Sequence, residues 1–375
     1  MKTPALEALD TPALVLDAAK LERNCTRMRQ HIHRHGVALR PHVKTAKNVE
    51  VVQRALDAPA GPITVSTLRE AEYFFDHGFR DMLYAVGIVP SKVPRVAELT
   101  RRGARVTVIV DEVEAARGLI EASRDAGVRI PALIEIDSDG HRAGVRPGDA
   151  RLLEVAQALG PAMQGVMTHA GESYNCRSTE AIREMATRER AAVVECAGEL
   201  RKQGFACSTV SIGSTPTATF ADSFEGVSEV RIGVYVFHDL VMAGLGVCSI
   251  DDIAVSVLGS VIGHQRERNW VLVDAGWMAL SRDRGTQRQA VDQGYGLVCD
   301  VEGRPLEDLV VADANQEHGI VARRDGGPID FARFPIGSRV RVLPNHACAT
   351  AAQHSEYQVL YEDGSLDVWE RFNGW

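Results

Sequence analysis

The chain has 375 residues, 45% of them hydrophobic and 25% charged, with a net charge of −8. This is the make-up of an ordinary soluble protein, and its acidic balance excludes a basic nucleic-acid surface and adhesion to an anionic membrane. No apolar stretch reaches the ~20 residues that cross a bilayer. The N-terminus lacks a signal-peptide pattern, and seven scattered cysteines with no CxxC pair read as the reduced thiols of a cytoplasmic protein.

From residue 12 to 245, short apolar runs alternate with amphipathic helical text. The runs at 13–16, 37–43, 61–66, 81–86, 105–110, 132–136, 164–169, 209–212 and 230–237 are apolar along their length. Strands buried on both faces of a parallel sheet look like this. Helices are predicted over 18–35, 67–78, 90–102, 111–126, 149–159 and 178–203. The alternation predicts a (β/α)8 barrel. No G-x-G-x-x-G follows the first run, which counts against a doubly wound dinucleotide fold. Residues 246–375 read instead as an all-β domain, with strands predicted at 255–264, 270–274, 296–300, 339–343 and 357–360. Residues 1–11 are expected to pack on it.

In a barrel, functional groups gather at the carboxyl ends of the strands. Lys44 follows the second run just before helical text, where an amine can form a Schiff base with a carbonyl cofactor. Read alone, a strand-end lysine is more often an ion-pair partner. Later strand ends bring Asp137, His141 and Arg142, then His169 and Tyr174, then Gly213, Ser214 and Thr215, then Arg231 and Tyr235. Gly-Ser-Thr suits a phosphate, bound through backbone N–H groups and hydroxyls, and equally suits a plain turn. A lysine, a phosphate cradle and a basic group together form the set that holds pyridoxal phosphate. In the β domain, His346 and Cys348 stand two apart on a segment read as extended, so both point to one side and can reach one metal. Imidazole and thiolate suit Zn²⁺ or a similar ion, and two protein ligands leave positions open for water or substrate. Glu317-His318 reads as a polar turn.

The motifs R-P-H-V-K-T (40–45), E-I-D-S-D-G-H-R-A-G-V (135–145), T-H-A-G-E-S-Y (168–174), S-I-G-S-T-P-T (211–217), D-A-G-W-M-A-L-S (274–281), N-Q-E-H-G (315–319) and P-N-H-A-C-A-T (344–350) occur in this order. As a set they resemble the D-serine dehydratase/D-threonine aldolase family, fold-type III pyridoxal phosphate enzymes with an alanine-racemase-like barrel and a C-terminal β domain. The resemblance runs from residue 10 to Trp375. It implies that Lys44 carries the cofactor and takes the Cα proton, with His169 against the cofactor ring and Tyr174 beside it. Gly213, Ser214, Thr215 and Tyr235 would hold the phosphate. Arg142 would face the pyridine nitrogen, where a permanent cation weakens the electron sink and favours prompt β-elimination over racemisation.

His346 and Cys348 would bind a divalent metal (Zn, Mn, Co or Ni) that coordinates the substrate's β-hydroxyl. The implied activity is a dehydratase acting on a D-3-hydroxy amino acid, 3-hydroxyaspartate or D-serine, to give a 2-oxo acid and ammonia. Aldolases of the family typically carry aspartate where Cys348 stands, so the cysteine favours elimination over retro-aldol cleavage. A non-catalytic cofactor-binding protein and a metal-independent racemase or decarboxylase are the other readings. His141, Arg231 and Arg282 are the cations that could meet a second substrate carboxylate. The family likeness also implies a homodimer.

Overall fold

The first strand, β1 (Ala13–Asp17), buries Leu14, Val15 and Leu16 in succession. Periodicity alone cannot say which sheet receives such a run. It pairs with strands from the far end of the chain, and the computed structural model, which describes residues 4–56 and 58–375, divides accordingly. One unit holds the residues up to 24 with 234–373, and the other holds 25–233 with 374 and 375. The barrel predicted to begin at residue 12 thus lacks β1. Backbone pairing, which apolar pattern does not encode, assigns that strand to the β unit.

In the barrel unit the strands are β2 (Ala38–Pro41), β3 (Ile63–Val65), β4 (Asp81–Gly87), β5 (Arg105–Val110), β6 (Ala132–Ile136), β7 (Met163–Thr168), β8 (Thr209–Ile212) and β9 (Glu229–Ile232). All eight are parallel, in the order β2-β9-β8-β7-β6-β5-β4-β3, and a bridge from His42 to Thr64 joins the two ends. The sheet therefore closes into the predicted alanine-racemase-like barrel. Leu83, Ile109, Leu133 and Met167, from four consecutive strands, form one apolar cluster. The helices begin sharply because side-chain caps satisfy their first amides. Asn48 caps Val49–Ala55, Thr67 caps Leu68–Asp76 and Ser178 caps Thr179–Lys202.

Part of the barrel's buried material is polar. Arg40 donates to Glu229 (2.8 Å) and Asp81 (3.1 Å), while Ser211 donates to Glu229 (2.8 Å) and accepts from Arg231 (2.7 Å). Buried charges persist only when paired in this way.

The β unit adds β10 (Val255–Gln265), β11 (Trp270–Val273), β12 (Leu297–Cys299), β13 (Pro305–Ala314), β14 (Gly319–Arg323), β15 (Arg339–Leu343), β16 (Glu356–Leu360) and β17 (Leu366–Glu370). The run β11-β14-β13-β12-β15-β10 closes on itself through a β10–β11 pairing, and β1, β16 and β17 extend it from β10. Leu240, Ile253, Leu297, Cys299, Val310 and Leu343 form a core cluster, while Leu6 packs with Val15 and Leu258.

Candidate active site

Lys44 lies in a turn just beyond β2. The turn is pinned by Val43 N–H donating to Thr64 O (2.9 Å) and closed by Lys47 N–H donating to Val43 O (2.8 Å). Lys47 has φ 46°, which is uncommon for a side-chain-bearing residue, and its Nζ stands 3.5 Å from Glu70. Glu70 is fully buried and accepts from both the amide (2.6 Å) and the hydroxyl (2.8 Å) of Ser66 at the end of β3. The turn is thereby anchored to its neighbour while the Lys44 side chain remains exposed.

His169 follows β7. Its Nδ1 is 2.5 Å from Gly213 O, and a carbonyl only accepts, so Nδ1 carries the proton and Nε2 a lone pair. Burial, then the charge of Lys44, with Arg142 and Arg231 adding, drives the imidazole down to about 3. His42 is pushed well below its usual range by burial and then by Lys44. Both rings are neutral at physiological pH, and both sense the same amine. Tyr174 places its ring 6.1 Å from that of His169.

Gly213, after β8, approaches β9 so closely that a Cβ there would fall 1.8 Å from Arg231 O. Its N–H donates to Glu189 (3.0 Å), which also accepts from Ala170 N–H (3.3 Å). A fully buried carboxyl from the Thr179–Lys202 helix thus ties the His169 loop to the Gly213 loop, and burial raises its pKa. No local pattern marked Glu189 in the sequence; mid-helix glutamates are usually solvated. Ser214 caps the short helix Thr215–Phe220 and shares a hydrogen bond with Ser173 (2.8 Å). Thr215 is buried, and its Oγ1 has no hydrogen-bond partner among the described residues. A buried hydroxyl without a partner is costly unless a ligand supplies one. Together with the glycine-only approach of Gly213, it fits a phosphate cradle.

Arg142 is half exposed and reaches Glu135 (3.3 Å), whose carboxyl is raised by burial while Arg142 opposes the shift. His141 pairs with Glu172 (2.9 Å). Arg231 is buried and donates to Ser211 and to Thr168 O. Burial lowers it to about 10, still protonated at neutral pH. Its guanidinium serves the barrel interior, which removes it from the cations proposed for a second substrate carboxylate.

Tyr235, fully buried in the turn Val234–Val236, belongs to the β unit, as do Arg282, stacked over Trp277 (4.8 Å), and the pair His346 and Cys348. The metal motif does not lie on an extended segment as expected. His346 stands at the N-cap position of the short helix Ala347–Ala351, which contains Cys348, without a side-chain capping bond. Strand alternation therefore does not bring the two side chains together; the first helical turn does, and the Cys348 sulfur hydrogen-bonds with His346. Asp283 Oδ2 stands 2.6 Å from His346 Nδ1, leaving Nε2 and the thiol as the two donors an ion could take. Burial disfavours a charged imidazole here, but Cys348 and Asp283 outweigh it and raise His346 to about 11, so an ion bound at Nε2 would displace a proton. Among the described residues, no group of three or more His, Cys, Asp or Glu side chains is arranged to hold a metal. A soft imidazole–thiolate pair fits a borderline divalent ion whose other positions stay open. Glu317-His318 lies in the turn between β13 and β14, closed by Asn315 N–H donating to His318 O (2.8 Å).

Residues 16–240 match the alanine racemase N-terminal domain family, and residues 254–360 match the putative serine dehydratase domain family. The chain belongs to the D-serine dehydratase/D-threonine aldolase family of fold-type III pyridoxal phosphate enzymes. It is 52% identical to the D-threo-3-hydroxyaspartate dehydratase of Delftia sp. (strain HT23) over 99% of both chains. It is 31% identical to the D-serine dehydratase of Dictyostelium discoideum, over 96% of this chain and 95% of that one. The solved structure of the Delftia enzyme superposes with a TM-score of 0.97 at 51% identity, covering 99% of each chain. A further similar structure, of a D-threo-3-hydroxyaspartate dehydratase with a cysteine changed to alanine, is in the metal-free form. Among the described residues, no helix is long and apolar enough to cross a membrane.

Proposed function

We propose that this chain is a pyridoxal phosphate- and divalent-metal-dependent dehydratase. It removes the β-hydroxyl of a D-3-hydroxy amino acid, 3-hydroxyaspartate or D-serine, and releases a 2-oxo acid and ammonia. The observation that carries this reading is the cluster at the barrel's strand ends: Lys44, a neutral His169 sensing its charge, and a loop at Gly213–Thr215 with a buried, unpartnered hydroxyl. Full-length likeness to a dehydratase supports the reaction type.

Pyridoxal phosphate supplies the aldehyde that joins the substrate amine and the ring that acidifies Cα–H, and a divalent ion supplies the Lewis acid that lets hydroxide leave. The chain's own residues do the rest. Lys44 Nζ accepts the Cα proton as the C–H electrons form the new double bond and the β-oxygen departs with its pair. The proton and hydroxide leave as water, and hydrolysis of the enamine gives the 2-oxo acid and ammonia. His169, unprotonated at Nε2, offers the cofactor ring a neutral flat surface beside Tyr174. The amides and hydroxyls of Gly213, Ser214 and Thr215 bind the phosphate, joined in this reading by Tyr235. Arg142 presents a permanent positive charge to the pyridine nitrogen. His346 Nε2 and Cys348 Sγ would hold the metal; the metal-free form of a cysteine-to-alanine variant of a D-threo-3-hydroxyaspartate dehydratase supports that assignment. The reading also carries a cytoplasmic homodimer, which sedimentation and fractionation test.

Likeness to a 3-hydroxy-D-aspartate aldolase of Paracoccus denitrificans, 30% identical, supports a retro-aldol alternative. Product analysis separates them. The proposal expects ammonia and a 2-oxo acid from D-3-hydroxyaspartate or D-serine, stimulated by added metal. Glycine and an aldehyde as the main products would overturn it.

A further inference from the structure

Two donors separated by one residue do not by themselves make a well-defined metal centre. The imidazole must be held in one tautomer and one orientation before the thiolate beside it can share an ion. In the β unit, this task falls to a carboxylate more than sixty residues earlier in the chain. Asp283 Oδ2 lies 2.6 Å from His346 Nδ1, and an ionised carboxylate only accepts, so Nδ1 keeps its proton and Nε2 is the nitrogen left to an ion.

The segment that delivers Asp283 is built for the purpose. Ser281, two residues before it, has φ 73° and ψ 164°, a region that side-chain-bearing residues rarely occupy and that persists only where surroundings enforce it. Three hydrogen bonds enforce it here. Ser281 N–H donates to Trp277 O (2.9 Å), and Asp283 N–H donates to Ser281 Oγ (3.2 Å). Thr350 Oγ1 donates to Leu280 O (2.7 Å). Thr350 lies on the same short helix as Cys348, so the element carrying the sulfur also anchors the chain that carries the carboxylate. Between the two donors, Ala347 N–H donates to Asp239 Oδ2 (2.9 Å), and the other oxygen of Asp239 caps the helix Leu240–Gly244.

We propose that Asp283 is the positioning residue of the metal centre, fixing His346 in the Nδ1–H tautomer so that Nε2 and the Cys348 sulfur present one pre-set pair of donors to a divalent ion. This rests on the metal reading above. Asp283 also increases the basicity of Nε2 through the shared proton, so its loss weakens the ion's hold without touching the cofactor.

The test measures metal affinity directly, by competition with a chelating dye, on the full-length protein loaded with pyridoxal phosphate, using Zn²⁺ and Mn²⁺ as probes. Asp283→Ala is expected to raise the metal Kd about 10- to 100-fold, and Asp283→Asn, which keeps the shape but loses the charge, about tenfold. The visible spectrum of the bound cofactor should stay that of the parent. If Asp283→Ala fails to fold, the asparagine variant decides. A Kd within about twofold of the parent in a folded variant overturns the inference. His346→Ala is the control that separates the two claims. If it loses metal while the Asp283 variants do not, only the positioning role falls; if it binds metal like the parent, the metal assignment itself is wrong.

Discussion

Adding one methyl group at Gly213 tests the phosphate loop more sharply than removing any charged residue. A Cβ there would lie 1.8 Å from Arg231 O and 2.7 Å from its carbonyl carbon, both backbone atoms that cannot rotate away. The end of β8 and the strand β9 must part by more than ~1 Å, and overpacking of this kind costs about 1–3 kcal/mol. The same movement disturbs both hydrogen bonds of the Gly213 peptide, the N–H to Glu189 at 3.0 Å and the carbonyl to His169 at 2.5 Å. The first is buried and the second partly so, and weakening a buried bond adds about 1–3 kcal/mol. Gly213→Ala should therefore lose about 2–6 kcal/mol, reaching the upper end of what single substitutions do. Urea unfolding of the cofactor-free protein reads this loss, and equilibrium dialysis reads the accompanying fall in pyridoxal phosphate retention. A midpoint shift worth less than about 0.5 kcal/mol, with normal cofactor retention, would refute the close approach and the cradle built on it.

Thr215→Val removes a hydroxyl that has no partner among the described residues, so the cofactor-free protein should keep its urea midpoint or gain up to about 1 kcal/mol, while cofactor affinity drops roughly tenfold. Lower apo stability with unchanged affinity would contradict the assignment. Lys44→Ala should abolish the visible Schiff-base absorbance without changing the circular dichroism spectrum; survival of the band would move the nucleophile elsewhere. For His169, whose folded value is about 3 against about 6.5 in the unfolded chain, the unfolded state takes up the extra proton. It contributes nothing to pH dependence above about 6.5, and stability is lost as pH falls from there toward 3. Nitrogen NMR of the ring at pH ~5 should show the neutral Nδ1–H form, and a titration midpoint near the ordinary histidine value would sink the reading.

The linear chain determined by itself whatever depends on near neighbours. Predominantly apolar runs of four to six residues at 105–110, 132–136 and 209–212 became strands with those bounds, because burial on both faces favours such runs. Caps at Asn48, Thr67 and Ser178 mark helix starts through a bond three residues long. Lys44, His169 and Gly213 could be found because barrel topology sends every strand end to one face. Only the tertiary structure decided partners that lie far apart in sequence. It gave β1 to β10 and β16 and placed Glu189 beneath two loops. It also brought Asp283 to His346 and folded the His-x-Cys segment into a helical turn where alternation had suggested a strand. The physical reason is the same in each case: hydrogen bonds and ion pairs are satisfied by whatever the fold brings within about 3 Å, and spacing along the chain carries no record of that choice.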